Sequence, residues 1–369
     1  MKNEHGGRMR VVAKIGTSSI TDAQGAIDVA MISSLCAQVA QLRRDGHEVL
    51  VVTSGAVAGG VAALGMSQRP TDTATLQALA AAGQSRLMGH YNAALDEHDL
   101  VGAQVLLVPN DFIDRSQYLH ARNTMLRLLE LGCVPIINEN DAIASDEIRF
   151  GDNDRIAALV AHSVDADVLV LLTDTDGLFT SDPALDPSAT LITHVAANDE
   201  LMTVRAGGTG TARGSGGMAS KLAAARIASW SGVRAVIARA TRDHVLRDAV
   251  EDVRGVGTSF AAHDRSLTSR KLWIAFAAQP AGSVIVDGGA RDALVGRGVS
   301  LLHAGVVEVR GDFVAGDVID VVAPDGGLVG RGLSRVDARH ATAAAGKKSS
   351  ELPDDVATEL VHRDDLIVY

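Results

Sequence analysis

From Met9 to Ala238, short Val/Ile/Leu runs alternate with longer stretches whose apolar residues fall at helical spacing. This alternation constrains the fold more than any other feature of the chain. Strands are expected at Met9 to Ile15, Glu48 to Val52, Val101 to Val108, Val134 to Ile137, Val168 to Leu172 and Ala235 to Ala238. Between them, Ile32, Leu35, Cys36, Val39 and Leu42 predict a helix that Asp28 can cap and Gly46 can close. Two helical stretches are expected across Thr73 to Glu97, one over Tyr118 to Leu131, one after Asp154, and one over Met218 to Trp230. Strands alternating with helices give an α/β fold, a parallel sheet covered on both faces. Aromatic residues make up only 3% of the chain against 47% hydrophobic, so aliphatic runs must supply the core.

In such sheets ligands bind beyond the carboxyl ends of the strands. Polar clusters recur at that point: Gly16–Ser19, Thr53–Gly55, Asn138–Asp141 and Thr173–Asp174. One polar loop means little, whereas four on one sheet edge imply a shared site.

The pattern changes beyond the charged segment Ala261 to Lys271, which reads as a linker or domain edge. Val284–Val286, Val306–Val309, Val318–Val322 and Gly327–Gly332 are short runs broken by Gly, Asp and Pro, as in a small β-barrel. The net charge of -11 argues against a nucleic-acid footprint over the whole surface. The two cysteines, Cys36 and Cys133, lie in apolar stretches and read as buried thiols of a reducing compartment. Met1 to Arg10 is polar, and no run approaches the ~18 apolar residues of a membrane span. A cytoplasmic protein is expected.

Three features carry chemistry. Lys14 interrupts an apolar strand. It either reaches a cleft or an anion, or sits in water on an edge strand. The segment Gly214-Ser215-Gly216-Gly217-Met218-Ala219-Ser220-Lys221 runs from glycines into a helix, an arrangement suited to phosphate, with Lys221 adding charge in the first turn. A plain flexible loop is the bland alternative. The clusters Asn138–Asp141 and Asp152–Asp154 can hold a metal, or an amino group and a carboxylate, although Asp152 or Asn153 alone would also serve as a helix N-cap.

The run Val12-Ala13-Lys14-Ile15-Gly16-Thr17-Ser18 resembles the start of the glutamate 5-kinases. So do Val52-Thr53-Ser54-Gly55-Ala56, Ile137-Asn138-Glu139-Asn140-Asp141, Gly151-Asp152-Asn153-Asp154 and Leu172-Thr173-Asp174. Met218-Ala219-Ser220-Lys221 is similar to that family's Gly-Gly-Met-x-Thr/Ser-Lys signature. Val284 to Arg335 resembles a PUA domain, and the ending His362-Arg363-Asp364-Asp365 is also similar to the family. The resemblance implies an amino-acid kinase domain over residues 8–262, its sheet doubly wound and mainly parallel, a linker over 263–280 and a PUA-like β-barrel over 281–360. The implied reaction transfers phosphate from ATP, with Mg²⁺, to the side-chain carboxylate of L-glutamate, the first step of proline synthesis. It implies that Lys14, Lys221 and Asp154 are catalytic, the lysines neutralising phosphoryl charge and Asp154 holding both. Ser54, Asn138, Asp141 and Asn153 would bind glutamate. Thr173, Asp174, Ser215, Gly216, Gly217, Met218, Ala219, Ser220 and Lys221, with Lys14, would bind ATP. No residue is assigned to the metal. The family also implies a homo-oligomer and proline as feedback inhibitor, and the instability of the implied product points to a glutamyl-phosphate reductase as functional partner.

Two competing readings remain. One is another kinase of the same fold, acting on N-acetylglutamate or a nucleoside monophosphate; the PUA-like tail and the Asn138–Asp141 segment argue against it. The other is an RNA-binding or RNA-modifying protein acting through the PUA-like domain. It would not need both substrate clusters, and Ala281 to Tyr369 shows no dense Lys/Arg stripe. RNA binding as an added role stays open.

Overall fold

Val11, Ala13 and Ile15 of the first strand face one apolar layer, while Val12 and Lys14 face the other. That alternation already places a charged head on a buried surface. The computed structural model describes residues 7–369 apart from 23, 113, 144–152, 203–215, 265–266, 273, 276–279 and 354–355. The chain divides into two compact units, one of Met1–Asp199 and Gly210–Ser266, the other of Glu200–Thr209 and Leu267–Tyr369.

In the first unit the strands are β1 (Arg10–Ile15), β2 (Glu48–Val52), β3 (Gly102–Leu107), β4 (Val134–Glu139), β5 (Val168–Thr173), β6 (His194–Val195), β7 (Arg234–Arg239) and β8 (Thr258–Phe260). They form one sheet in the order β3-β4-β2-β1-β5-β7-β8-β6. All described pairings are parallel except β7 with β8. The helices are α1 (Thr17–Ile20), α2 (Val29–Arg44), α3 (Ala56–Ala63), α4 (Thr73–Asp96), α5 (Arg115–Glu130), α6 (Asn153–Ser163), α7 (Gly216–Trp230) and α8 (Val245–Val250). Residues of α2, α4 and α8 share a core with Val11, Val51 and Val170 of the sheet. The helix α6 packs against β1 and α7.

The register explains why the polar clusters meet. Strands β4, β2, β1 and β5 are consecutive neighbours, with Val52 opposite both Lys14 and Ile137, and Leu172 opposite Ile15. Their carboxyl ends therefore form one continuous edge.

Two expectations change. The stretch expected as two helices is a single 24-residue helix, Thr73–Asp96, started by Asp72, whose side chain accepts from the Thr75 N–H. A further helix, α3, precedes it where no helix was expected, because Gly59 and Gly60 lower helix propensity. Those glycines have a packing reason. A Cβ on Gly60 would lie 2.0 Å from Leu79 O, and one on Gly83 1.9 Å from Ala56 O, so α3 and α4 cross backbone to backbone. Cys36 is buried and Cys133 half-buried.

In the second unit β9 (Gly282–Val286), β11 (Val306–Gly311), β12 (Val318–Val322), β13 (Leu328–Leu333) and β15 (Leu366–Val368) form a five-stranded sheet in the order β11-β9-β12-β13-β15. A two-stranded ladder joins β10 (Leu301–Leu302) to β14 (Glu359–Val361). The core is Val284, Val286, Leu294, Phe313, Ile319, Val321 and Leu360. Two helices, α10 (Gly288–Arg297) and α11 (Ala338–Ala344), complete it, with Asp287 capping the first by accepting from the Ala290 N–H. The stretch expected as a linker carries α9 (Ser269–Leu272), and its Ile274 and Ala275 are buried against Val318 and Ile367.

Candidate active site

Lys14, near the end of β1, is only 4% exposed. β1 is flanked by β2 and β5, so the edge-strand alternative for this lysine does not hold. Its ammonium lies 2.6 Å from Asp154 Oδ1. Asp154 sits in the first turn of α6, the helix that covers this face of β1. Its other oxygen, Oδ2, lies 3.2 Å from Lys221 Nζ and accepts from Ser220 Oγ at 2.5 Å. Both of these residues come from the first turns of α7. Lys221 also reaches the Gly217 carbonyl at 3.4 Å.

The three charged side chains are all buried, Asp154 at 3% exposure and Lys221 at 9%. Burial pushes the Asp154 carboxyl up, but the charges of Lys14 and Lys221, with hydrogen bonds from Lys14 and Ser220, pull it further down, and the net effect is a lowered pKa. By themselves the three carry two ammoniums against one carboxylate. A buried group with surplus positive charge is costly unless an anion joins it. Gly16 leaves space beside the Lys14 head, since a Cβ there would sit 3.1 Å from Nζ.

Next along the edge is a chain of amides. Asn153, the residue before Asp154, donates from Nδ2 to Ser54 Oγ at 3.0 Å and to Asn138 Oδ1 at 3.1 Å. The backbone N–H of Glu139 donates to both Asn138 Oδ1 (2.9 Å) and Asn153 Oδ1 (3.1 Å). A backbone N–H can only donate, so this one group fixes which way both amides face. The N–H pair of Asn153 is thereby used within the protein, and its oxygen, which takes the Glu139 N–H on one lone pair, has a second with which to accept from a ligand. Ser54 Oγ, which accepts from Asn153, keeps its own hydrogen to give. The site thus pairs a hydroxyl donor, suited to a carboxylate, with a carbonyl acceptor, suited to an ammonium. Asn138 Nδ2 donates onward to Gln84 Oε1 at 2.9 Å, and Gln84 to Gln104 Oε1 at 2.9 Å.

The remaining expected residues lie at or just after the carboxyl ends of β4 and β5 or open α7. Asp141 is half-buried just beyond β4, and burial raises its pKa to about 6 against the opposing charge of Arg69. Thr173 ends β5 and donates to the Asp174 carboxylate at 3.0 Å. Gly216, Gly217, Met218 and Ala219 form the first turn of α7. Ser215 and Asp152 lie outside the described residues. Asn153, which sequence reasoning allowed as a helix cap, spends its side chain on tertiary contacts instead.

Comparison with known proteins shows the family. The amino acid kinase family matches residues 9–239 and the PUA domain residues 282–355. A glutamate 5-kinase of Thermobifida fusca is 47% identical, covering 97% of this chain and 93% of that protein. A glutamate 5-kinase of Frankia casuarinae is 47% identical over 97% and 96%, and one of a Geobacter species 43% over 97% of each. The chain belongs to the glutamate 5-kinase family.

For this member of the glutamate 5-kinases, sequence reasoning missed the contribution of α4. Gln84 reaches Asn138, and Tyr91 reaches Thr53 at 2.8 Å. A signal for the second was present: a tyrosine at an apolar helical position carries a hydroxyl that needs a buried partner.

Proposed function

We propose that the chain transfers the γ-phosphoryl group of ATP to the side-chain carboxylate of L-glutamate, giving L-glutamyl 5-phosphate, the first step of proline biosynthesis. The observation that carries this reading is the buried Lys14–Asp154–Lys221 triad lying directly beside the Ser54–Asn153–Asn138 amide chain, in a chain of this family. The unit over residues 8–262 holds both substrates, and the PUA-like unit, expected over residues 281–360, also takes in Ile274 and Ala275 of the expected linker and β15. The cytoplasm is the proposed setting.

A carboxylate is already an anionic nucleophile at neutral pH, so it needs no general base. The obstacle is its approach to a phosphoryl group that is also negative. Positioning and charge neutralisation must supply the catalysis. Lys14 and Lys221 neutralise the transferring group, and Asp154 holds their heads apart and aimed. Ser54, with the remaining Nδ2 hydrogen of Asn138, offers donors to a glutamate carboxylate, while Asn153 and Asp141 take the ammonium end. Thr173, Asp174 and the segment Ser215 to Lys221 take ATP. Among the described residues no group of three His, Cys, Asp or Glu side chains converges as a metal cage. Mg²⁺ is assigned to no residue here; such an ion binds largely through phosphates and water.

The product is a reactive acyl phosphate whose own amine can attack it to close a five-membered ring. A reductase that consumes it promptly is the fitting partner.

The Asp141 assignment gives a pH signature. The ionised carboxylate attracts the substrate ammonium, so KM for L-glutamate should fall as pH rises through about 6. Asp141→Asn should raise that KM and flatten its pH dependence. Stability runs the other way. A carboxyl whose pKa is raised from 3.8 to about 6 contributes stability that is full below 3.8 and lost as pH rises through 6. Asp141→Asn is thus expected to melt higher than the unaltered protein at pH 8. Equal KM profiles for the two proteins between pH 5 and 8 would remove Asp141 from the ammonium site.

The proposed function is tested by ATP- and Mg²⁺-dependent ADP release with L-glutamate, N-acetyl-L-glutamate, L-aspartate and UMP side by side. L-glutamate should support turnover and the others little. A preference for N-acetyl-L-glutamate, which lacks the ammonium, would overturn the pocket assignment.

A further inference from the structure

Ser54 is gripped from both faces of the sheet. On the α6 face, Asn153 holds its hydroxyl. On the α4 face, a second chain holds its backbone. Thr53 Oγ1 donates to the Ser54 carbonyl at 3.0 Å and lies 2.8 Å from the Tyr91 hydroxyl. A threonine hydroxyl has one hydrogen, and here it is spent on Ser54. Tyr91 must therefore be the donor, and the chain runs one way: Tyr91 to Thr53 to the Ser54 carbonyl.

Both hydroxyl-bearing residues are fully buried. Tyr91 belongs to the same buried apolar core as Leu87, Leu95, Val49 and Val51. If only ring volume were needed there, phenylalanine would fill the place without a polar group to desolvate. The carbonyl at the end of the chain belongs to the Ser54–Gly55 peptide. Gly55 takes φ +102°, and a Cβ on it would lie 2.8 Å from Ile20 Cδ1. The turn is thus set in a single orientation by a left-handed glycine after Ser54 and a buried hydroxyl relay before it. Its anchor α4 cannot slide, because its backbone is seated against α3 at Gly60 and Gly83.

We infer that Tyr91 is a positioning residue for the amino-acid substrate. Its hydroxyl orients Thr53, Thr53 fixes the Ser54 peptide plane, and this keeps Ser54 Oγ where it meets the substrate carboxylate. The inference rests on the reading that Ser54 receives L-glutamate.

Tyr91→Phe tests it, since the ring and its packing are retained. KM for L-glutamate is expected to rise roughly five- to tenfold, the scale of one buried neutral hydrogen bond. KM for ATP and kcat should stay within about twofold. Thr53→Val should reproduce the effect and Thr53→Ser, which keeps the hydroxyl, should avoid it. The double variant Tyr91→Phe/Thr53→Val should be no worse than Thr53→Val alone, as expected of two links in one chain. An unaltered KM for L-glutamate in Tyr91→Phe, or equal rises for both substrates, overturns the inference. If Tyr91→Phe fails to fold, the Thr53→Ser and Thr53→Val pair decides it by the same KM comparison. Failure of the underlying function is distinguishable, because it shows in the unaltered protein as no glutamate-dependent ADP release.

Discussion

Lys14→Met is expected to fold and to lose roughly 10²–10³-fold in kcat, with Lys221→Met losing a comparable factor. Methionine keeps most of the apolar stem and removes only the charge. Either change leaves Asp154 with one ammonium, a balanced pair, so the buried cluster survives as a structural unit. What is lost is the surplus positive charge that a phosphoryl group would meet. The two lysines reach Asp154 from different elements, β1 and α7, and grip opposite oxygens of one carboxylate. A transferring phosphoryl group between attacking and leaving oxygens needs neutralisation on more than one side, and this arrangement supplies it. Steady-state kinetics on both variants, with melting curves to confirm folding, checks the expectation. Near-normal turnover in both would remove the lysines from the chemistry.

Asp154→Asn is expected to be worse for the fold than either lysine change. It leaves two buried ammoniums facing an amide, and breaking a buried ion pair from one side costs about 3–5 kcal/mol. Activity should fall with stability, because the lysine heads then repel each other out of position. The pH dependence adds a sharper signature. The Asp154 carboxyl is opposed by burial, yet its two lysines hold its pKa below the ordinary value. Its stabilising contribution is therefore present above about pH 4 and lost as pH falls through the depressed folded value. The asparagine variant should lack this acid limb. Denaturant unfolding of both proteins at pH 7, and melting temperature between pH 3 and 7, give the comparison. An asparagine variant as stable as its parent at pH 7 would mean that the carboxylate does not hold the lysines.

Much of this site was legible before the fold was known. Lys14 announced itself as a charge inside an apolar strand, and the glycines before Met218 pointed to a helix N-terminus. The strand alternation put four polar clusters on one edge. It could not show that strands β4, β2, β1 and β5 are adjacent, because strand order is set by crossover packing and leaves no local trace in the sequence. The pairing of Asn153 with Ser54 was equally hidden, since it joins residues 99 positions apart. The helix α3 was missed for an energetic reason. Gly59 and Gly60 look like helix breakers, and only the backbone contact with α4 shows what their missing side chains allow. Tyr91 was passed over because a tyrosine at helical spacing reads first as core.

The central claim is that the glutamate side-chain carboxylate attacks the γ-phosphorus. Trapping with hydroxylamine tests it most directly, since an acyl phosphate yields a hydroxamate and a phosphate ester does not. With ATP, Mg²⁺ and L-glutamate, γ-glutamyl hydroxamate should accumulate in step with ADP, and Lys14→Met should lower both together. ADP release without hydroxamate, or hydroxamate on the α-carboxylate, would contradict the account.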